Sequence, residues 1–216
     1  MDAVRQDARI ARSAWRWRDF IRPALYCGGM VPAVWGFYLG FANQLGPDPI
    51  KALEHLLGLW ALRFLIAGLA ITPIRRLGGP SFLRYRRALG LLAFFYVCLH
   101  FAVYIGFDQG FDLAAIGKDI LKRPYITIGM VAFVILMPLA ATSNNTMVKR
   151  LGAAAWQRLH RWVYAAAALG ALHFLLVVKS WPLEPMVYCA IVAGLLLFRL
   201  TPIGRNRRRR AAAATR

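Results

Sequence analysis

Four histidines, His55, His100, His160 and His173, all lie within long apolar stretches or at their edges. Imidazole in lipid costs free energy unless it has a partner, so each position needs a reason. His100 and His173 fall toward the same end of two stretches that run in the same direction, which puts them at matching depth. Two imidazoles from two helices at one level can fill both axial positions of a b-type heme, leaving a six-coordinate iron suited to electron transfer rather than oxygen binding. His160 precedes His173 by thirteen residues, about 20 Å of helical rise and most of the hydrocarbon thickness. That spacing suits two stacked hemes. Thirteen steps of about 100° also leave the rings roughly 140° apart on an ideal helix, so a shared face requires a bend or an irregular turn between them. An interfacial histidine is the alternative for His160, and it is the expected role of His55.

Two arginines join this set. Arg63 lies eight residues beyond His55 inside an apolar stretch, a depth at which arginine points into a bundle, toward an anion such as a heme propionate or toward a quinone oxygen. Snorkelling, or pairing with a backbone carbonyl, is the alternative. Arg86 precedes His100 by fourteen residues, so the two fall about 40° apart on one helix face and can address one interior slot at opposite depths. The three cysteines, Cys27, Cys98 and Cys189, form no CxxC pair, which excludes an iron-sulfur cluster or zinc site read from paired spacing.

The elements that must position these residues are membrane helices. With 59% hydrophobic residues and a mean hydropathy of +0.49, the chain is too apolar for a soluble domain. Apolar runs long enough to cross a bilayer lie near 24–43, 52–71, 89–107, 125–142, 160–178 and 186–203, predicting an all-α, six-transmembrane-helix bundle. The first is read as a span rather than a removable leader. Thr72-Pro73 is expected to end the second, Pro124 to open the fourth and Thr142-Ser143-Asn144-Asn145 to stop it. Residues 108–123 read as a short interfacial helix.

The net charge of +19 argues for topology, not nucleic acid. Arginines crowd the N-terminus, the connections between spans two and three and between four and five, and the tail, whereas the opposite loops balance lysines with acids. By the positive-inside rule both termini are cytoplasmic, in a multi-pass protein of the bacterial inner membrane. Residues 1–22 form a basic leader, 23–203 the six-helix domain and 204–216 a basic tail, the ends suited to anionic membrane lipid.

The motifs Arg86-Arg87-Ala88-Leu89-Gly90-Leu91-Leu92, Arg123-Pro124-Tyr125-Ile126-Thr127-Ile128-Gly129, Thr142-Ser143, Trp156-Gln157 with Leu159-His160 and Val163-Tyr164, and His173 resemble the MsrQ (YedZ) family. These are heme-binding membrane subunits of periplasmic methionine sulfoxide reductase systems, within the ferric-reductase-like transmembrane superfamily. The resemblance covers nearly the whole chain apart from its Arg-rich ends. It implies one or two b-type hemes with His100, His160 and His173 as heme-linked residues. It further implies electrons drawn from the quinone pool or a cytoplasmic flavin reductase and passed to a periplasmic molybdopterin methionine sulfoxide reductase (MsrP-like). FMN is associated with the family as well, without residues here that mark its site. Span three of the wider superfamily carries two histidines, and here Arg86 stands in place of the second. An inner heme would then rest on His160 alone or with Arg86 nearby, or be absent.

The chain is thus expected to be an electron-transfer subunit, not the catalytic one. A self-sufficient ferric reductase would need a flavin and nicotinamide domain after span six, where the sequence shows a short basic tail. A transporter or assembly factor without a redox cofactor is the alternative from another class.

Overall fold

A computed structural model describes the backbone of residues 2–178 and 182–201, with the side chains of the first helix from Phe20 onward. The basic tail at 204–216 and the side chains of the leader up to residue 19 lie outside the described residues. The elements are helices: α1 (Asp2–Phe41), α2 (Pro49–Arg76), α3 (Arg86–Val103), α4 (Leu113–Lys122), α5 (Pro124–Ala141), α6 (Asn145–Leu151), α7 (Ala153–His160), α8 (Val163–Val177) and α9 (Leu183–Leu200), with no strand among the described residues. Six stretches are long and apolar enough to cross a membrane: Phe20–Phe41, Pro49–Arg76, Leu83–Asp108, Pro124–Ala141, Ala153–Val177 and Leu183–Leu200. The six-helix expectation holds.

Helix α2 occupies the centre and packs against α1, α3, α8 and α9, while α5 packs on α8. Its inward stripe of Leu57, Ala61, Leu62, Leu65 and Leu69 is buried, the spacing of one helical face. Val34 and Leu197 stay more than half exposed, as expected where lipid supplies the contacts. Lipid tails being as apolar as leucine, van der Waals fit and hydrogen bonds must hold the helices together. Tyr96 supplies one such bond. It is fully buried on α3, and its hydroxyl accepts from Ala33 N at 2.9 Å and donates to Gly29 O at 2.7 Å. Residues 29 and 33 would bond each other in a regular helix, so the hydroxyl is inserted into the α1 ladder beside Pro32.

Two boundaries differ from expectation. Helix α2 does not end at Thr72-Pro73 but continues to Arg76. A proline inside a helix frees the carbonyl four residues earlier, here that of Leu69, and Arg199 Nη2 on α9 donates to it at 3.0 Å. The orphan carbonyl is satisfied from a neighbouring helix, so the turn survives. The fifth span, expected as one helix, is α7 and α8 joined at Arg161-Trp162. There Arg161 N bonds Arg158 O at 3.2 Å and Trp162 N bonds Leu159 O at 3.0 Å, a tightened turn of i→i−3 bonds. The offset between His160 and His173 called for such an irregularity only if the rings shared a face, and the two rings line different cavities. Helix α4 forms as expected, its N-terminus capped by Asp112 Oδ1, which accepts from Ala114 N and Ala115 N at 2.9 and 3.0 Å.

Candidate functional site

Two cavities are stacked inside the bundle, of about 640 Å³ and about 760 Å³. Leu65 and Leu136 line both, so a wall of two leucines separates them.

The smaller cavity holds His100 from α3 and His173 from α8, with ring centroids 6.2 Å apart and ring planes at 79°. Each imidazole is fixed through one nitrogen. His100 Nδ1 lies 2.8 Å from Glu54 O on α2, and His173 Nδ1 lies 2.7 Å from Tyr125 O on α5. A carbonyl oxygen only accepts, so each Nδ1 carries the proton and each Nε2 keeps its lone pair. That tautomer is the one a metal-ligating histidine uses, with its other nitrogen held by a backbone carbonyl.

Both rings reach their carbonyls by the same local device. In an α-helix Glu54 O also faces the N–H of Gly58, and Tyr125 O that of Gly129, each four residues on. A Cβ at Gly58 would lie 3.4 Å from His100 Nδ1, and one at Gly129 would lie 2.9 Å from His173 Nδ1. At Gly129 the close approach of the imidazole requires glycine, whereas at Gly58 a Cβ would just reach contact.

The cavity fits a heme. Two imidazoles at that separation, each with one nitrogen left without a protein partner, would hold a heme iron, which when bound supplies one-electron chemistry. Leu62, Val97, Phe101 and Phe133 form apolar walls, and Lys51, Arg123 and Tyr125 gather at one mouth, as an amphiphilic macrocycle with carboxylate tails demands. Lys51 there pairs with Asp108 at 2.7 Å and Glu54 at 3.2 Å. His55 lines the same cavity but is half exposed, 4.0 Å from Glu184.

The larger cavity holds His160 and Arg86, and the histidine there is held differently. His160 Nε2 lies 3.0 Å from Thr142 Oγ1, whose hydroxyl is 2.6 Å from Pro138 O. A hydroxyl has one proton, and the carbonyl can only accept it, so His160 Nε2 must be the donor to threonine. The ring also stacks on Trp156, centroids 3.8 Å apart, and Trp156 Nε1 donates to Thr142 O at 2.8 Å. Among the described residues, no second histidine lines this cavity. Arg86 bonds Thr72 Oγ1.

Arg63 lines neither cavity. Its Nε donates to Tyr188 OH at 2.8 Å and its guanidinium covers Trp60 at 4.9 Å, so a phenol oxygen and an aromatic face are its partners. The structure thus brings His100 and His173 together and sets His160 with Arg86 in the other cavity. Sequence reasoning missed Gly58, Gly129 and the two carbonyls. Single glycines in apolar helices at histidine depth were the signal.

Residues 57–171 match a family model described as the ferric reductase like transmembrane component. The protein-methionine-sulfoxide reductase heme-binding subunit MsrQ of Brucella anthropi is 59% identical over 185 residues, covering 85% of this chain and 84% of the relative. Its namesakes in Brucella ovis and Brucella abortus are each 61% identical over 176 residues, covering 82% of this chain and 80% of theirs.

Proposed function

Since the chain belongs to the MsrQ family of ferric-reductase-like transmembrane components, we propose that it is a b-type heme subunit of the bacterial inner membrane, passing electrons to a periplasmic molybdopterin methionine sulfoxide reductase for repair of oxidised proteins. The electrons come from the quinone pool or a cytoplasmic flavin reductase, with FMN as a further cofactor. Both termini and the arginine-lined cavity face the cytoplasm, and the histidine pair lies toward the periplasm.

One observation carries the reading. The rings of His100 and His173 lie 6.2 Å apart with their Nδ1 protons on carbonyls, so both Nε2 lone pairs are left for a ligand in a largely apolar cavity. Heme, when bound, supplies a one-electron carrier that needs no proton at its iron. The protein's part is to fix both imidazoles, exclude water and balance charge. Leu62, Val97, Phe101 and Phe133 keep the cavity dry, which sets the potential. Lys51 and Arg123 at the mouth would hold the propionates, each exchanging an acidic partner present here for a heme carboxylate. The cavity contains one such pair, and the reading is therefore of one heme.

A reduced-minus-oxidised absorption spectrum of purified protein, expressed with ample heme, tests this. The expected result is a b-type difference spectrum, lost in His100→Ala and in His173→Ala. A colourless wild type would support the transporter or assembly-factor reading instead.

A further inference from the structure

Among the described residues, two buried side-chain polar atoms lack a hydrogen-bond partner, Glu54 Oε1 and Arg199 Nε. The glutamate lines the cavity of the histidine pair, and it is the residue whose backbone oxygen lies 2.8 Å from His100 Nδ1. An acid at the edge of a membrane span has two ordinary explanations, a helix cap or a surface ion pair. Neither accounts for Glu54. The start of α2 is already capped by Asp48, whose side chain accepts from Lys51 N at 3.1 Å, and Glu54 lies beyond the first turn, where the attraction of the helix dipole for an acid fades. Lys51 does pair with Glu54 Oε2 at 3.2 Å, but the lysine is half exposed and stands closer to Asp108, at 2.7 Å. The Glu54 side chain is only 12% exposed.

At this end of the cavity Lys51 and Arg123 are matched with Glu54, Asp108 and Asp119, so one negative charge is in excess. A buried carboxylate oxygen without a donor costs free energy, and an acid kept inside a membrane protein at that cost points to a function. An electron carrier gives the charge a purpose. Oxidised heme carries one positive charge more than reduced heme, and a fixed negative charge in a poorly screened space favours the oxidised form. We propose that the Glu54 carboxylate holds the heme potential low through its charge, while the backbone of the same residue orients the ligand His100. A lower potential makes the heme a stronger donor, which suits a carrier that must pass electrons outward. The inference rests on the heme reading above and adds to it a residue that acts without touching the iron.

Spectroelectrochemical titration of the heme-loaded full chain in phosphatidylcholine nanodiscs, at one pH, tests this. Wild type is compared with Glu54→Gln and Glu54→Met, which differ in polarity, keep the backbone carbonyl and share the loss of charge. Both should raise the midpoint, the reduced-to-oxidised ratio at a given potential rising about tenfold, or about 59 mV for a one-electron couple. Glu54→Asp restores the charge and should recover most of the shift. Glu184→Gln is the control: that carboxylate is half exposed, 4.0 Å from His55, where solvent and salt screen it, and its loss should move the ratio less than about twofold. Electron paramagnetic resonance of the oxidised samples should show the same low-spin bis-histidine signals throughout. An unchanged or lowered midpoint in the neutral variants, or a shift equalled by Glu184→Gln, overturns the inference and leaves the heme reading standing. So does a shift accompanied by loss of the low-spin signals, which would make Glu54 only a support for His100. A wild type without heme bands removes the heme reading and the inference together.

Discussion

The two cavities each contain histidine, and the hydrogen bonds of the imidazoles separate them. In the smaller cavity each Nδ1 donates to a backbone carbonyl, so the lone pairs of Nε2 are left for a ligand. In the larger one Nε2 of His160 is itself a donor, to a threonine whose own proton is committed elsewhere. The same residue type at bilayer depth is thus a pair of metal-ready bases in one place and a helix-joining donor in the other. The charges divide the same way. The histidine pair has lysine and arginine already matched with acids beside it, while among the described residues no acid lines the arginine cavity. One cavity presents two neutral bases, and the other gathers arginines bonded to neutral acceptors.

The largest expected effect is at the ligands. His100→Ala and His173→Ala should each cut heme occupancy more than the 10–100-fold typical of losing a supporting contact, measured as heme per protein after purification. Next comes Gly129→Ala, where the new Cβ would stand 2.9 Å from His173 Nδ1 and force the ring off Tyr125 O. A 10–100-fold loss of heme affinity is expected. Gly58→Ala, with its Cβ at 3.4 Å, should cost distinctly less, and heme titration of the two variants side by side checks the order. Equal losses would mean that the carbonyl bonds do not set the imidazoles.

Tyr96→Phe separates scaffold from site. Removing the hydroxyl leaves Ala33 N and Gly29 O unpaired where lipid offers no substitute, about 1–3 kcal/mol of stability. Thermal unfolding should shift down, while the heme spectrum of the folded fraction stays unchanged. The smallest effect on heme is expected from His160→Ala: occupancy within about twofold of wild type, read from the same heme-to-protein ratio.

Much of this was legible from sequence. Apolar runs defined six spans because a bilayer accepts only backbone that satisfies itself, and matching depth paired His100 with His173. Three features were not legible, each for a physical reason. The continuation of α2 past Pro73 depends on Arg199, 126 positions away, filling the freed carbonyl of Leu69; only the fold brings them together. The break at Arg161-Trp162 follows from a turn that residue types there do not announce. The tautomer of His160 is set by Thr142 and Pro138 on another helix, so spacing could place the histidine but could not say which nitrogen was free. Arg63 is similar, its depth predicting an inward partner and the fold supplying Tyr188.

The most direct test of the central claim is the heme-to-protein ratio of the purified protein, with iron and protein quantified independently, in the wild type and in His160→Ala. One heme per chain in both is predicted, with low-spin bis-histidine signals in the electron paramagnetic resonance spectrum of the oxidised form. Two hemes in the wild type falling to one in His160→Ala would contradict the assignment of the two cavities.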